Sequence, residues 1–280
     1  MFFLETLGNT DTINLPDPQI ELAESMIKIK KPIILVYYGG RPRIITDIVE
    51  SIDGVILAFL PGNKGGEAVA DIIFGDYNPN GKLPITYPRV TNGFITYDFK
   101  PSENFDVNIP ENQWLFPFGH GLSYTSFEYS NLRLDKYFID FTKGETNLTV
   151  SVDIENTGEL AGKHTVILYI NDEYASIARP AKQVRGFKKV YLKANEKTSV
   201  SFVLDVKEHL SFIDQSNKLT LESGYFNVYV DDLKTKFQLK LPQHSVHLDS
   251  SYSNTLKFNF GAWFFSIYAW VFSSNTVFNF

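Results

Sequence analysis

The chain has 280 residues, a formal net charge of −6, 15% aromatic residues and no cysteine. That length suits two ordinary domains. The charge gives no basic face for nucleic acid, and the missing thiols exclude disulfides, thiol catalysis and cysteine–zinc sites. Neutral ligands such as sugars stay open, and the aromatics fit either β-rich packing or sugar stacking.

The opening Met1-Phe2-Phe3-Leu4-Glu5 has no basic region, long apolar core or small-residue cleavage site, so no signal peptide is expected. Pro16 to Lys30 reads as a helix, with Ile20, Ala23 and Ile27 at helical spacing and Lys31-Pro32 as the stop. Residues 33–38 form a continuous apolar run, the mark of a strand buried on both faces. Gly39-Gly40 ends it. A short helix over 44–52 leads to a second apolar run at 54–60, closed by Pro61-Gly62, and then to a helix from Gly65 to Phe74. This order predicts a partial open α/β domain over residues 1–125, with ligands beyond the carboxyl ends of the strands. Those ends are Tyr38-Gly39-Gly40-Arg41 and Leu60-Pro61-Gly62-Asn63. Gly62, Gly65 and Gly66 fit either a tight strand-to-helix turn or a set of free amides at a helix start. Asp71, Asp76 and Asn78 read as turn and cap residues.

Residues 75–125 are dense in turn signals. From about Glu128 the period changes to two: Leu148, Val150, Val152 and Ile154 alternate with polar residues, as do Val166, Leu168 and Ile170. Val200, Phe202 and Leu204 repeat the pattern, followed by Phe226, Val228 and Val230, then Phe237, Leu239 and Leu241. About seven short strands of this kind predict an all-β immunoglobulin-like or fibronectin-III-like sandwich over 126–242. Residues 243–280 fit neither domain. Their apolar stretch, Phe258 to Phe272, is shorter than the ~20 residues of a membrane helix, so no span is expected. A packed appendage, a membrane-associating segment and a run-on of the coding sequence stay open as readings.

Three stretches carry a resemblance: Gly39-Gly40-Arg41-Pro42, the long run from Leu60 to Pro88 containing Gly75-Asp76-Tyr77-Asn78-Pro79-Asn80-Gly81-Lys82-Leu83-Pro84, and Phe116-Pro117-Phe118-Gly119-His120-Gly121-Leu122-Ser123-Tyr124. They resemble glycoside hydrolase family 3 enzymes of the β-glucosidase type. The sandwich continues the likeness at residues 152–158 and 179–187. What the resemblance implies is a retaining exo-glycosidase acting on an oligosaccharide or glucoside. It uses a nucleophilic Asp on an N-terminal barrel and an acid/base Glu on a loop of the second domain, before the helix that begins near Leu15-Pro16. Such enzymes hold two carboxyl groups about 5–5.5 Å apart. No stretch of this chain resembles the barrel, so the nucleophile is expected from outside it. Glu5 is the acid/base candidate by its place in that loop; the alternative is that Glu5 is an ordinary loop carboxylate and the acid/base lies just upstream of it. Arg41, Trp114 and His120 are substrate-binding candidates: Arg41 as a ligand partner or a salt bridge, Trp114 as an outer sugar platform or a packing residue, and His120 as a junction residue. No cofactor, metal or nucleic acid is expected; His244 with His247 gives too few ligands for zinc. Members of the family are often secreted or periplasmic. The alternatives to an enzyme are a non-catalytic accessory or binding module and a truncated gene product.

Overall fold

The computed structural model describes residues 12–91, 93, 97 and 114–248. The chain opens with helix α1 (Asp17–Ile27), strand β1 (Ile34–Tyr38), helix α2 (Thr46–Val49), strand β2 (Gly54–Phe59) and helix α3 (Gly65–Phe74). Strands β1 and β2 run parallel, Ile34 opposite Gly54 and Tyr37 opposite Leu57. The apolar runs at 33–38 and 54–60 therefore become neighbours in one sheet, as an α/β order requires. Helix α3 occupies the expected residues and ends at Gly75. Helix α2 is shorter than the expected 44–52. Its first residues are diverted into a bridge in which Ile44 pairs with Asn14, and the Ile44 amide donates to the Ile13 carbonyl at 3.0 Å. Strand β3 (Tyr87–Pro88) then pairs antiparallel with β4 (Trp114–Phe116).

The rest is all β. Strands β5 (Phe127–Leu134), β7 (Asn147–Asn156) and β10 (Lys197–Asp205) form one sheet in the order β10-β7-β5. Strands β6 (Phe138–Asp140), β8 (Gly162–Asp172), β9 (Gln183–Leu192), β13 (Gly224–Val230) and β14 (Leu233–Lys240) form the facing sheet, ordered β6-β14-β13-β8-β9. Between β10 and β13 come the short helix α4 (Val206–Leu210) and strands β11 (Phe212–Ile213) and β12 (Leu219–Glu222). Beyond position 242 the chain makes one more strand, β15 (Ser245–His247), which pairs antiparallel with β12.

The two parts differ in how much they bury. In the sandwich, alternate residues of β7, β8 and β10 turn inward. Val150, Val152, Ile154, Val166, Leu168, Val228 and Phe237 are sealed in one continuous core, with Phe226 stacked on Phe237 at 5.4 Å. The α/β part has a small core of Leu15, Ile45, Ile48, Leu83 and Tyr87. Helix α1 buries no residue; Leu22 and Met26, and Ile29 just beyond the helix, keep 64%, 47% and 56% of their surface exposed. An apolar stripe at i, i+4 and i+7 left open in this way marks a face made to be covered.

Candidate functional site at the strand ends and the domain junction

The carboxyl end of β1 is held by a run of polar contacts. The Tyr37 hydroxyl donates to the Arg41 carbonyl (2.7 Å), and Arg43 Nη1 donates to the Asn14 carbonyl (3.1 Å). The Tyr87 hydroxyl donates to the Arg43 carbonyl (2.7 Å). Tyr87 is 1% exposed, and this burial pushes its phenol well above the ordinary range, so it stays a neutral donor. Thr46 Oγ1 donates to the Arg89 carbonyl at 2.5 Å, and Arg89 Nε reaches the Trp114 carbonyl at 3.4 Å. Thr91 Oγ1 donates to Asn14 Oδ1 at 2.6 Å. Asn14 is thus a hub: its backbone pairs with Ile44, its carbonyl takes Arg43 and its side chain takes Thr91. The segment just before α1 is fastened by it to the ends of the sheet. Glu5 itself lies outside the described residues.

Arg41 and Trp114 belong to this strand-end region. His120 belongs elsewhere. Its ring stacks on Phe116 at 5.1 Å, and Phe116 meets Tyr87 edge-on at 6.1 Å. Burial first, and the neighbouring Lys82 second, hold the imidazole below its ordinary pKa, so it sits neutral against the aromatic ring. His120 lines a groove of about 1090 Å³ between the α/β part and the sandwich, whose walls include Ile34, Ile56, Ile72, Leu122, Phe187 and Tyr191. Arg41 and Trp114 are not in its wall. The structure therefore divides the sequence candidates between two places.

Around this groove runs a clasp. The Leu83 amide donates to the His120 carbonyl and the Gly119 amide to the Leu83 carbonyl, both at 2.8 Å, while Lys82 Nζ donates to the Gly121 carbonyl at 2.6 Å. Gly121 has to be glycine here: a Cβ would fall 2.1 Å from the Gly81 carbonyl oxygen. Gly119 adopts φ +81°, and a Cβ there would also press on the Tyr169 hydroxyl. Asn78 fastens the clasp on both sides. Its Oδ1 accepts from Ser123 Oγ (2.9 Å) and the Tyr124 amide (2.8 Å), and its Nδ2 donates to the Ala161 carbonyl just before β8 of the sandwich (3.3 Å). Lys189 of β9 donates to Asn80 Oδ1 at 2.6 Å. Reading Asn78 as a turn residue missed this bridging role. The available signal was that Asn78 and Ser123-Tyr124 fall in two separate motif stretches, which only a contact between the stretches would join.

Of the two histidines weighed as a pair, His247 lies in β15, its Nδ1 3.0 Å from Thr220 Oγ1 and 3.6 Å from Asp214 Oδ2. Among the described residues no group of three or more His, Cys, Asp or Glu could hold a metal ion, and no helix is long and apolar enough to cross a membrane.

Comparison with known proteins accounts for both halves. Residues 5–124 match the glycosyl hydrolase family 3 C-terminal domain, and residues 164–233 match the fibronectin type III-like domain. A β-xylosidase of Formosa agariphila is 40% identical over 239 residues, covering 81% of this chain and 32% of that protein. A periplasmic β-glucosidase of Salmonella typhimurium is 36% identical over 230 residues, covering 78% of this chain and 30% of that protein. Among solved structures, a β-glucosidase of Erythrobacter marinus superposes with a TM-score of 0.77 at 36% identity, over 85% of this chain and 32% of the other. A Listeria innocua β-glucosidase, solved with gluconolactone, gives 0.74 at 31% identity over 82% of this chain and 34% of the other. The chain spans about a third of the length of the curated relatives it matches.

Proposed function

We propose that this chain, which carries a glycosyl hydrolase family 3 C-terminal domain followed by a fibronectin type III-like domain, serves as the C-terminal part of a retaining exo-glycosidase of the β-glucosidase type. The supporting observation is the anchorage of Asn14. It ties the segment just before α1, which follows Glu5 in sequence, to the carboxyl ends of a parallel sheet, where open α/β sheets bind their ligands. In this reading Glu5 donates its proton to the glycosidic oxygen as an aspartate from a segment outside these 280 residues attacks the anomeric carbon. The aglycone leaves as an alcohol. Glu5, now a carboxylate, takes a proton from the water that hydrolyses the glycosyl ester. Arg41 and Trp114 border the substrate from the strand ends, with Trp114 as a platform for an outer sugar. His120 acts through the junction and not on the substrate.

The test joins this chain to the upstream part of the Salmonella relative and compares nitrophenyl β-glucoside with nitrophenyl β-xyloside. The β-xylosidase names among the relatives make the second substrate the main competitor. Turnover of the glucoside with the higher kcat/KM is the expected result; preference for the xyloside changes the substrate, and a soluble but inactive chimera favours the alternative of an accessory module. That alternative draws its support from the size of the sandwich core relative to the small α/β core.

A further inference from the structure

The outer face of the five-stranded sheet is divided. Over β8 and β9 it is occupied by the clasp: Phe118 meets Tyr169 edge-on at 6.4 Å, and Lys189 reaches Asn80. Over β13 and β14 the same face carries an alternation of a different kind. Tyr225, Asn227 and Tyr229 follow one another at i, i+2 and i+4 on β13, so they share the face opposite the buried Phe226 and Val228. Across the ladder Tyr229 stands opposite Lys234 and Asn227 opposite Lys236. The lysines lean on the rings. Lys182 Nζ lies 4.7 Å and Lys234 Nζ 5.4 Å from the Tyr229 centroid, and Lys236 Nζ lies 5.0 Å from that of Tyr225. None of these three lysines is within 4.0 Å of a carboxylate among the described residues. Between the rings sits Asn227, 4% exposed. Its Nδ2 donates to Asn171 Oδ1 at 3.0 Å, but its buried Oδ1 has no donor. A buried acceptor left open in this way is unusual in a folded domain.

We infer that this face binds an acidic polysaccharide, a glycan bearing uronic acid carboxylates. Four features point to that class. The ammonium groups are braced on aromatic faces, so they lose little freedom when they meet an anion. Their charges are spread along the strands and are few, which suits a polymer with a sparse row of carboxylates. A chain of net charge −6 with only these three lysines unpaired on one face is a poor match for the dense phosphate row of a nucleic acid. The open Asn227 Oδ1 needs a hydroxyl donor, which a sugar supplies. Tyr225, 43% exposed, offers a ring edge and face to the pyranose beside it. The site is independent of any hydrolytic activity, because it lies on the sandwich and uses neither Glu5 nor the strand ends.

The test is affinity electrophoresis and titration calorimetry of the full chain with polygalacturonate, with neutral hydroxyethylcellulose and a single-stranded DNA oligomer as comparison ligands. The expected result is retardation by polygalacturonate that weakens with added salt, and none by hydroxyethylcellulose. Replacing Lys182, Lys234 and Lys236 together by Gln should weaken polygalacturonate binding at least tenfold. The same change of charge placed elsewhere, by Lys28→Gln, Lys193→Gln and Lys218→Gln, should leave it within twofold. Asn227→Leu, which keeps the charge, should weaken it severalfold, with far-ultraviolet circular dichroism confirming that each variant is folded. Equal binding by the first triple variant and the wild type, equal weakening by both triple variants, equal retardation by hydroxyethylcellulose, or tighter binding to DNA than to polygalacturonate would each overturn the proposal.

Discussion

Asp172 should make the sandwich more stable in acid than at neutral pH, and its replacement by Asn should remove that dependence. The residue closes β8 and is 9% exposed; its Oδ1 has no hydrogen-bond donor. Burial pushes the carboxyl up to about 6, with the Glu222 carboxylate adding to the rise and Arg179 and the Tyr174 amide opposing it. Because the folded pKa lies above the unfolded value of 3.8, the folded state binds the proton more tightly. Stability from this group is complete below pH 3.8 and is lost as pH rises through 6. A carboxyl displaced upward by about two pH units corresponds to ~3 kcal/mol. Asn keeps the shape of the protonated acid without the charge. Urea unfolding of wild type and Asp172→Asn, followed by circular dichroism from pH 3.5 to 8, should therefore give a difference that is constant below about pH 4. Across pH 4 to 6 the difference should move by ~3 kcal/mol in favour of Asn. His164 masks the effect in the wild type alone. Its imidazole, buried against Phe127 at 4.3 Å and joined to the Tyr129 hydroxyl at 2.8 Å, is held down to about 4 by burial and by Lys82. Its folded pKa is depressed, so its contribution is present above pH 6.5 and is lost as pH falls toward 4. The two slopes oppose each other over one window. A difference curve between wild type and Asp172→Asn that stays flat from pH 4 to 8 would refute the reasoning.

His164→Leu should uncover the other slope: urea midpoints of the variant should rise steadily as pH falls from 6.5 to 4, where the wild type changes little. Gly121→Ala should destabilise the junction by ~3 kcal/mol or more, because both atoms that collide are anchored, one on the new side chain and one on the Gly81 backbone; thermal melting and amide exchange near Leu83 and His120 would show it. Leu22→Glu with Met26→Lys should reduce binding of an apolar-surface dye and aggregation of the isolated chain without lowering its melting temperature, since neither side chain is buried. The isolated 280-residue chain should not release nitrophenol from nitrophenyl β-glucoside above a Glu5→Gln control. Once the chain is joined to an upstream barrel, Glu5→Gln should slow substrates with poor leaving groups far more than activated aryl glucosides, and azide should speed the deglycosylation step.

Periodicity made most of the sandwich legible. The inward residues Leu148, Val150, Val152 and Ile154 are those whose spacing of two set them apart, and all are sealed in the core. Helix α3 was legible because Gly65 and Gly75 bracket one uninterrupted amphipathic run. The shortening of α2 was not, since it depends on Asn14 claiming the backbone at Ile44 across thirty residues of sequence. The same limit hid β6, which pairs parallel with β14 at Gln238 to Lys240, and β15, whose partner Leu221 lies well upstream. Short strands have too few residues for a pattern, and only tertiary contact selects them. For the site, the motifs located the right segments but not which residues meet. Arg41 and His120 both lie beside glycines in the sequence, yet one belongs to the strand ends and the other to the junction groove.

That division bears on what the motif-rich stretches do. Asn78, Gly81 and Lys82 come from the first long stretch, and Gly119, His120, Gly121, Ser123 and Tyr124 from the second. In the structure these residues contact one another and the sandwich through Asn78, Lys82 and the Gly121–Gly81 approach. The Tyr124 hydroxyl closes the arrangement on the Ile72 carbonyl of α3 at 2.7 Å. Their chemistry is that of a joint: amides, small residues and a lysine satisfied by a backbone carbonyl. Sugar recognition would ask for converging groups with hydroxyl partners still to be met. A clasp of this kind fixes how the α/β part is carried on the sandwich, and with it where the Asn14 hub sits. The segments that most strongly mark the family are therefore ones that set geometry. Under the proposed function, the choice between a glucoside and a xyloside falls to groups outside this clasp.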